Sequence, residues 1–251
     1  MTPPAFTSQS VAVITGGASG NGLAAATHFA GMNMRVVIVD RAADKLAAAS
    51  ETLRAAGAAD VMTSEADVSD KEQLQVLEQD IADRFGGTDI LMNNAGVGGR
   101  SSTLEASDAW ANMLGVNLMG PINGTQTFAP RMVARSRPGA IINTGSKQGI
   151  TTPPGNPAYK VSKAGLKAYA AALSHAPTTM CPAISMRNAS PGTWATSSKT
   201  APRSAAGIRT TRTRSRPSSV NLDGRKTPPK PPPRKQALWQ RPGPWPIHTR
   251  H

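Results

Sequence analysis

Tyr159 and Lys163 are the two residues of this chain whose types and spacing most directly suggest chemistry. They lie four positions apart, so a helix over this stretch would place both side chains on one face. A phenol ordinarily loses its proton near pH 10, and a neighbouring ammonium group favours the phenolate. The pair is therefore suited to proton transfer, although the same spacing also occurs on ordinary helix surfaces.

Three further polar positions precede this pair at informative places. Ser146 lies 13 residues before Tyr159 (159 − 146 = 13) and ends the apolar run 140–146, where an open α/β sheet binds its ligands. Asn117 stands alone in an apolar stretch, which also fits a satisfied core amide. Asn93 and Asn94 leave another apolar run, and buried amides need hydrogen-bond partners. A cofactor ribose or a neighbouring strand would supply those partners.

A glycine-rich turn near the N-terminus predicts a phosphate-binding loop. The apolar run 11–14 reads as a strand buried on both faces, and the alanine-rich stretch 23–30 reads as a helix. Between them, Gly16 permits a tight turn, Gly20 lets the backbone approach a pyrophosphate, and Gly22 allows close helix–strand packing. The helix N-terminus would hold the phosphates, with a hydroxyl contact from Ser19. A plain strand-to-helix turn is the alternative interpretation.

Two acidic residues follow the next two predicted strands, 34–39 and 61–68. Asp40 lies about twenty residues after the glycine turn, where a carboxylate accepts hydrogen bonds from ribose hydroxyls and favours NAD. Arg41 can accommodate a 2′-phosphate, which leaves NADP as the alternative. Asp67 lies where its side chain reaches an adenine amino group, or where it caps a helix that starts near residue 69.

The elements that position these residues alternate along the chain. Helices are predicted over residues 42–56 and over a stretch with apolar residues at helical spacing, Leu74, Leu77, Ile81 and Phe85, which Gly86 and Gly87 close. Residues 89–96 read as a fourth strand, and residues 103–136 as two helices broken near Pro121. A further helix beginning near residue 158 would carry Tyr159 and Lys163. The sequence therefore predicts the α/β fold class.

Taken together, these motifs resemble the short-chain dehydrogenase/reductase family over residues 11–175. The motifs that carry the resemblance are Thr15-Gly-x-x-x-Gly-x-Gly22, Asp40, Asp67-Val68, Asn93-Asn-Ala-Gly96, Asn117, Ser146 and Tyr159-x-x-x-Lys163. The resemblance implies a Rossmann-type doubly wound parallel sheet and hydride transfer between a nicotinamide cofactor and a small alcohol or ketone. It also implies a homo-dimer or homo-tetramer.

The resemblance further implies a role for each site residue. Tyr159 would be the general base in alcohol oxidation and the acid in carbonyl reduction, while Lys163 would stabilise the phenolate and hold the nicotinamide ribose. Ser146 would hydrogen-bond the substrate oxygen, and Asn117 would hold a water that relays the proton. The cofactor, NAD or alternatively NADP, would be bound by Gly16, Ser19, Gly20, Asn21, Gly22, Asp40, Arg41, Asp67, Val68, Asn94, Ala95, Gly96, Tyr159, Lys163, Pro191 and Gly192.

The composition changes sharply between residues 176 and 195. Residues 1–194 carry 15 Lys+Arg and 14 Asp+Glu (15 − 14 = +1), whereas residues 195–251 carry 13 and 1 (13 − 1 = +12). This break divides the chain into a predicted nucleotide-binding domain, 1–194, and a basic proline-rich tail, 195–251, predicted to be irregular or disordered. Pro191-Gly192 resembles the family's Pro-Gly after its sixth strand, with Thr193 and Thr196 as carboxamide or phosphate contacts. The segment before it, 183–190, is poorly apolar for a central strand.

Three explanations of the tail stay open. It binds an acidic partner, it is a proline-rich ligand for aromatic-lined domains, or it is an out-of-frame translation that begins near residue 176. Two alternatives to the enzyme accompany them. One is a catalytically dead nucleotide-binding relic, and the other is nucleic-acid binding through the tail, which the near-neutral main body argues against.

Composition narrows the remaining classes. Cys181 is the one cysteine, which excludes an intrachain disulfide framework and fits a reducing compartment, so we expect a cytoplasmic protein. The first ten residues lack the basic and apolar regions of a signal peptide, and no apolar run approaches the ~20 residues of a membrane span. The four histidines show no ligand spacing, so no metal is expected.

Overall fold

The computed structural model of the protein describes residues 5–151, 153–174 and 184–189. Over these residues the chain forms one parallel sheet of six strands in the order β3-β2-β1-β4-β5-β6. The strands are Val11–Thr15 (β1), Arg35–Asp40 (β2), Asp60–Glu65 (β3), Ile90–Asn93 (β4), Gly139–Thr144 (β5) and Ile184–Ala189 (β6). Strand β1 pairs with β2 on one side and β4 on the other, so the strand order reverses there. In open α/β sheets such a reversal marks the ligand-binding crevice.

In the described part of the chain, six α-helices connect these strands. They are Gly20–Ala30 (α1), Ala43–Ala55 (α2), Lys71–Phe85 (α3), Asp108–Leu114 (α4), Gly120–Ala134 (α5) and Pro157–Ser174 (α6). A π-helical segment, Gly115–Met119, joins α4 to α5, and a 3-10 turn, Lys147–Gly149, follows β5. The two helices predicted over residues 103–136 are present as α4 and α5, and α5 begins at Gly120, next to the predicted boundary at Pro121. Pro121 lies in the first turn of α5, a position that proline favours.

Helices cover both faces of the sheet, which confirms the doubly wound architecture. Alternate strand residues point to opposite faces. On one face, Ile14 and Ile38 pack with apolar residues of α1 and α2, including Phe29 and Leu53. On the other face, neighbouring strand residues pack with residues of α3 and α5, namely Val13, Val37, Leu74, Leu77, Ile81, Phe128 and Met132. Two apolar layers therefore fix the sheet from both sides.

The third strand is shorter than predicted. The apolar run predicts a strand over residues 61–68, but β3 ends at Glu65. Hydrogen bonds explain the early end: the Asp67 carboxylate accepts from the backbone N–H and the hydroxyl of Ser69, at 2.8 and 2.7 Å. A side chain that bonds to backbone two residues ahead closes a turn and competes with strand pairing. Val68 is buried behind this turn instead of continuing the strand.

A sixth strand forms in the segment that is poorly apolar for a central strand. Its backbone pairs with β5 in parallel from Gly139↔Ile184 to Thr144↔Ala189. In the backbone register of the three adjacent strands, Asn93 pairs with Asn143, and Asn143 pairs with Asn188. The predicted contacts of Pro191, Gly192, Thr193 and Thr196, the boundary at residues 194/195 and the basic tail 195–251 lie outside the described residues.

Candidate active site

The glycine turn after β1 has the geometry that the sequence predicts. Gly16 and Gly20 adopt φ of +63° and +53°, a region that L side chains rarely enter. A methyl group on Gly22 would overlap the Gly16 carbonyl oxygen and lie 2.6 Å from Asn94 Nδ2. Since Gly22 cannot carry a side chain unless its neighbours move, the glycine turn and the start of α1 lie in close backbone contact.

The N-terminus of α1 faces open space. A methyl group on Gly20 would meet nothing within 4 Å, and Ser19 and Asn21 beside it are exposed. Ser19 occupies the N-cap position in an extended conformation, but its hydroxyl does not cap the helix. Backbone N–H groups at this end have no intrahelical acceptors, so the turn can hold an anion such as a phosphate.

Asp40 ends β2 and is fixed by backbone N–H groups. Its Oδ2 accepts from Ala18 N–H at 3.3 Å, and its Oδ1 accepts from Arg41 N–H at 2.8 Å and Ala42 N–H at 3.4 Å. The first of these bonds joins the glycine turn to the end of β2. The carboxylate is therefore held beside the glycine turn, with lone pairs left to accept hydroxyl hydrogen bonds.

Asp67 and Arg41 form an ion pair across two loops. Arg41 Nη1 lies 3.2 Å from Asp67 Oδ2, and both side chains are partly exposed. Burial alone would raise the pKa of the Asp67 carboxyl. Hydrogen bonds from Ser69 and the Arg41 charge outweigh burial, so this pKa lies below its usual value. The carboxylate is thus ionised at neutral pH and available as an acceptor.

The prediction that Asp67 caps the third helix is wrong. Helix α3 begins at Lys71, and its N-cap is Asp70, whose carboxylate accepts from the N–H groups of Glu72 and Gln73 at 2.9 and 3.3 Å. Asp67 lies outside the helix, and its own N–H donates to Gln73 Oε1 at 2.9 Å. The carboxylate of Asp67 is consequently free of capping and lies at the edge of a cavity.

A cavity of about 110 Å³ lies between the ends of β1, β2 and β4. Seven of the predicted cofactor-binding residues line it, together with four apolar neighbours. The lining residues are Gly16, Asp40, Arg41, Asp67, Val68, Ala95, Gly96, Val39, Ala66, Val97 and Val116. The structure therefore brings seven of the twelve cofactor-binding residues predicted in the first half of the chain into one concave site.

Asn94 joins the end of β4 to the glycine turn. Its Nδ2 donates to the carbonyl oxygens of Thr15 and Gly16 at 3.1 and 3.2 Å. Thr15 Oγ1 accepts from the N–H groups of Asn94 and Ala95 at 3.0 and 3.1 Å. The sequence placed Thr15 in the glycine motif without assigning its hydroxyl a role. Because its partners are 79 and 80 residues away, no local signal shows them.

Asn93, one residue earlier, points into the sheet instead. Its Nδ2 donates to Asn143 Oδ1 at 2.9 Å, and Thr125 Oγ1 and the Pro121 carbonyl lie within 3.4 Å. A neighbouring strand therefore supplies its partners, as one of the two sequence interpretations proposed. Asn143 Nδ2 is buried and has no hydrogen-bond partner among the described residues.

Asn117 is fully buried in the π-helical segment. Its Oδ1 accepts from Val97 N–H at 2.7 Å, and its Nδ2 donates to the Val97 carbonyl at 2.9 Å and to Ser162 Oγ at 3.4 Å. The side chain thus pairs with the loop after β4 as a strand would. A water held by this residue would have to use an atom other than these amide hydrogens.

Ser146 lies two residues beyond β5 and caps the 3-10 turn. Its hydroxyl accepts from Gln148 N–H at 3.2 Å. Gly149, at the end of the turn, packs directly on α6: a methyl group there would lie 2.7 Å from the Lys163 carbonyl carbon. The turn that carries Ser146 is therefore seated against the helix that carries Lys163.

Tyr159 and Lys163 lie in the first turns of α6, and Lys163 reaches the end of β5. Lys163 is 5% exposed, and its Nζ donates to the Thr144 carbonyl at 2.9 Å and lies 6.0 Å from the centre of the Tyr159 ring. Burial lowers the pKa of the Lys163 ammonium to about 8. A methyl group on Gly96 would lie 3.9 Å from Lys163 Nζ and 3.3 Å from Asn117 Oδ1. Gly96 thus connects the cavity to the lysine.

The described residues combine an anion-binding turn, acidic acceptors, and a tyrosine beside a buried ammonium. Such a set can bind a dinucleotide in an extended pose and transfer a proton at its far end. Among the described residues, no group of three or more His, Cys, Asp or Glu side chains could hold a metal ion. The same part of the chain contains no helix long and apolar enough to cross a membrane.

The sequence of the chain matches a known protein family. The family model described as short chain dehydrogenase matches residues 10–206. This match extends past residue 175, where the motif resemblance ends. Over 157 residues the chain is 33% identical to the 2-(R)-hydroxypropyl-CoM dehydrogenase of Xanthobacter autotrophicus, which covers 61% of this chain and 62% of that enzyme. The chain thus spans less than two thirds of this curated relative.

Solved structures show the same similarity. A short chain dehydrogenase/reductase from Burkholderia phymatum in complex with NAD matches with a TM-score of 0.70 and 36% identity, over 74% of this chain and 66% of that one. The L-sorbose reductase of Gluconobacter frateurii, complexed with NADPH and L-sorbose, matches with a TM-score of 0.68 and 32% identity. This second match covers 72% of this chain and 68% of that one.

Proposed function

Because this chain belongs to the short-chain dehydrogenase family, we propose that it is an NAD(P)-dependent oxidoreductase that interconverts a hydroxyl and a carbonyl group. One observation carries the proposal. Gly96 lines the cavity between β1, β2 and β4, and it also lies in contact range of the buried Lys163 ammonium beside Tyr159. This proximity supports a cofactor that would occupy the cavity and extend past Gly96 toward Tyr159 and Lys163.

The residues present fit a nicotinamide dinucleotide. The glycine turn with Ser19 and Asn21 would hold the pyrophosphate at the open N-terminus of α1. Asp40 would accept from the adenosine ribose, and Asp67 with the Val68 backbone would bind adenine. The strand-end residues Asn94, Ala95 and Gly96, together with Tyr159 and Lys163, would line the nicotinamide ribose. Pro191 and Gly192 would add contacts on the nicotinamide side. When bound, such a cofactor supplies the hydride acceptor or donor.

NAD is the preferred cofactor in this proposal, with NADP as the alternative. The Asp40 carboxylate would repel a 2′-phosphate, and backbone N–H groups fix its position. Arg41 is the group that would accept the phosphate, and its guanidinium pairs with Asp67. Titration of the protein with NAD and with NADP should therefore give the lower Kd for NAD. Equal affinity, or tighter NADP binding, would contradict this preference.

Side chains of this protein would transfer the proton in the proposed mechanism. Tyr159 would take the hydroxyl proton in alcohol oxidation and return it in carbonyl reduction, while the Lys163 ammonium would stabilise the phenolate. Ser146 would donate to the substrate oxygen, where negative charge develops. The backbone near Asn117 would hold the water that connects Lys163 to solvent, since the amide of Asn117 is occupied by Val97 and Ser162.

The chain offers a matched control for this mechanism, because it has two tyrosines. We expect Tyr159→Phe to lose turnover by at least a hundredfold, the scale of a lost general acid or base, while NAD binding stays measurable because the other cofactor contacts remain. Tyr169→Phe, further along α6 and hydrogen-bonded to Thr125, should keep turnover near wild type. The assay would measure NADH formation with 2-propanol, xylitol and 2-hydroxypropyl-CoM, and NADH consumption with L-sorbose. Full activity of Tyr159→Phe would exclude the mechanism.

The same assay separates this proposal from its alternatives. NAD binding without turnover on any compound would favour the catalytically dead relic. The substrate is proposed to be a small alcohol or ketone, since the two relatives are named a 2-(R)-hydroxypropyl-CoM dehydrogenase and an L-sorbose reductase. A homo-dimer or homo-tetramer and a cytoplasmic location complete the proposal, and sedimentation and cell fractionation would test them.

A further inference from the structure

The first turn of α6 carries Tyr159. The backbone N–H groups of this turn donate to side chains that lie outside the helix. Pro157 opens the helix and has no N–H, so Ala158 and Tyr159 are the first donors that lack an intrahelical acceptor. Ala158 N–H donates to Ser101 Oγ at 3.1 Å, and Tyr159 N–H approaches Asn156 Oδ1 at 3.4 Å. The first of these acceptors comes from a loop 57 residues earlier in the chain.

Ser101 and Asn156 are themselves joined. The Ser101 hydroxyl donates to Asn156 Oδ1 at 2.9 Å, so one hydroxyl accepts from the helix and donates to its capping residue. Asn156 adopts φ of +42°, a left-handed conformation that asparagine tolerates better than most side chains. Asn156 thus holds a strained bend immediately before the helix, and Ser101 fixes its side chain.

The loop that supplies Ser101 is anchored at its other end by Asn117. Val97 is bound through its N–H and its carbonyl to the Asn117 amide, at 2.7 and 2.9 Å. Between the two anchors lie Gly98, Gly99 and Arg100, all exposed. Only three residues therefore separate the bond to Asn117 from the bond to the first turn of α6.

We propose that Ser101, through Asn156 and the Ala158 N–H, is a positioning residue that sets the place of Tyr159 relative to Lys163 and couples the loop after β4 to proton transfer. This role rests on the proposed function of Tyr159. Ser101 does not line the cavity, so its effect reaches the reaction through the helix. A shift of the helix start would move Tyr159 more than Lys163, which is held one turn later by Thr144 and Gly149.

The test compares two adjacent serines in the full-length protein. In Ser101→Ala we expect kcat for alcohol oxidation to fall on the order of tenfold, because displacement of a reacting group by a fraction of an ångström is costly. The KM for NAD should stay unchanged, and the pH at half-maximal oxidation rate should rise as the phenol moves from the ammonium. Ser102→Ala is the matched control, since in the described part of the chain Ser102 Oγ accepts from Leu104 and Glu105 within its own loop and bonds to no other element.

Two further variants and one measurement make the outcome decisive. Ser101→Thr keeps the hydroxyl and should restore most of the lost kcat. Asn156→Gly keeps the φ but loses the acceptor, and it should lower kcat with little added loss in the Ser101→Ala background, because both changes break one contact. Hydrogen exchange should accelerate over residues 153–163 in Ser101→Ala and not in Ser102→Ala, independently of activity.

Each contrary result has one meaning. If Tyr159→Phe is inactive while Ser101→Ala keeps wild-type kcat and pH profile, the positioning role is wrong and the proposed function stands. If both serine variants lose activity equally, the effect is general to the loop and the role of Ser101 is again wrong. If Tyr159→Phe is fully active, or the wild type oxidises none of the alcohols, both the proposed function and the positioning role of Ser101 are wrong.

Discussion

Lys163 carries a charge that its surroundings make costly. The side chain is 5% exposed, its Nζ donates to one backbone carbonyl, and no acidic side chain pairs with it among the described residues. Burial lowers its pKa to about 8 from the usual 10.5. Because no carboxylate within the described residues neutralises this ammonium, its charge can stabilise a phenolate or a bound ligand.

The cost of this charge should appear as a pH dependence of stability. Below pH 8 the lysine is charged in both folded and unfolded chains, so the fold carries the full cost of burial. Between pH 8 and 10.5 the unfolded chain binds more protons, and stability therefore rises with pH. Relative to Lys163→Met, which has no such charge, the wild type should gain roughly 2 kcal/mol between pH 7 and 9.5. Urea unfolding of both proteins at the two pH values measures this, and a constant difference would contradict it.

A second prediction at the residue level concerns Gly22. A methyl group there would overlap the Gly16 carbonyl and crowd Asn94, and both contacts involve groups fixed by other hydrogen bonds. Gly22→Ala should therefore destabilise the fold by about 1–3 kcal/mol, the range of overpacked sites, and weaken NAD binding. Thermal unfolding and NAD titration measure the two effects. Gly98→Ala, where a methyl group meets nothing within 4 Å, should change neither; equal effects of both substitutions would refute the steric account.

Some of these residues were predictable and others were not, for a physical reason. Local backbone requirements reveal Gly16 and Gly22, because only glycine fits a left-handed turn or a backbone contact. Thr15 and Thr144 act through hydrogen bonds to residues distant in sequence, so neither spacing nor residue type marks them. Asn117 lies where predicted, but its side chain bonds to the Val97 backbone, which only the folded chain brings close.

At the level of elements, an ion pair between a buried carboxylate and a largely buried arginine connects the end of helix α5 to the start of two strands. Arg135, at the end of α5, lies with Nη2 3.2 Å from Asp89 Oδ1, and its Nη1 donates to the Thr88 carbonyl at 2.9 Å. Asp89 Oδ2 accepts from Val11 N–H at 2.9 Å. These bonds close the amino ends of β1 and β4 against the helix that covers them.

Removal of one partner of this pair should be costly, because it leaves the other charge buried and unpaired. We expect Arg135→Met to lower the free energy of unfolding by about 3 kcal/mol. Arg137→Met, two residues later on the exposed surface, forms no ion pair in the described part of the chain and should cost less than about 0.5 kcal/mol. Urea unfolding at pH 7 compares the two; similar losses would mean that the pair contributes little.

The elements themselves were predicted best where periodicity and glycine signals agree. Helix α3 follows its apolar spacing and ends at Gly86, with φ of +77°. Strand β3 ends early because the Asp67 side chain closes a turn, a local competition that an apolar run does not reveal. The sequence does not predict the π-helical segment either, because the apolar residues on both sides of Asn117 fit an ordinary α-helix equally well.

At the level of the whole molecule, the charge is divided unevenly. Residues 1–194 carry a net charge of +1 and residues 195–251 a net charge of +12. We expect sequencing of the gene from codon 170 onward to reveal a loss of frame beyond strand β6, with a second frame downstream that encodes a final strand–helix pattern. The physical reason is that Trp194, Trp239 and Trp245 have no apolar sequence context that would bury them.

The opposite outcome would give the tail a function. If the other frames encode no such pattern, the basic tail is genuine. Binding of the full-length chain to a polyanion should then weaken steeply as salt rises, since each neutralised phosphate releases counterions. A shallow salt dependence would instead point to the proline-rich segment as the binding element.

The strand order also has a consequence for synthesis on the ribosome. Strand β1 acquires its partner β2 within the first 40 residues, but its other edge waits for β4, which ends at Asn93. The interval from Thr15 to Ile90 is 75 residues (90 − 15 = 75), which a ribosome needs roughly 4–15 s to complete. During that time an apolar strand of the nascent chain presents an unpaired edge, so the middle of the future sheet is the surface that a chaperone would have to shield.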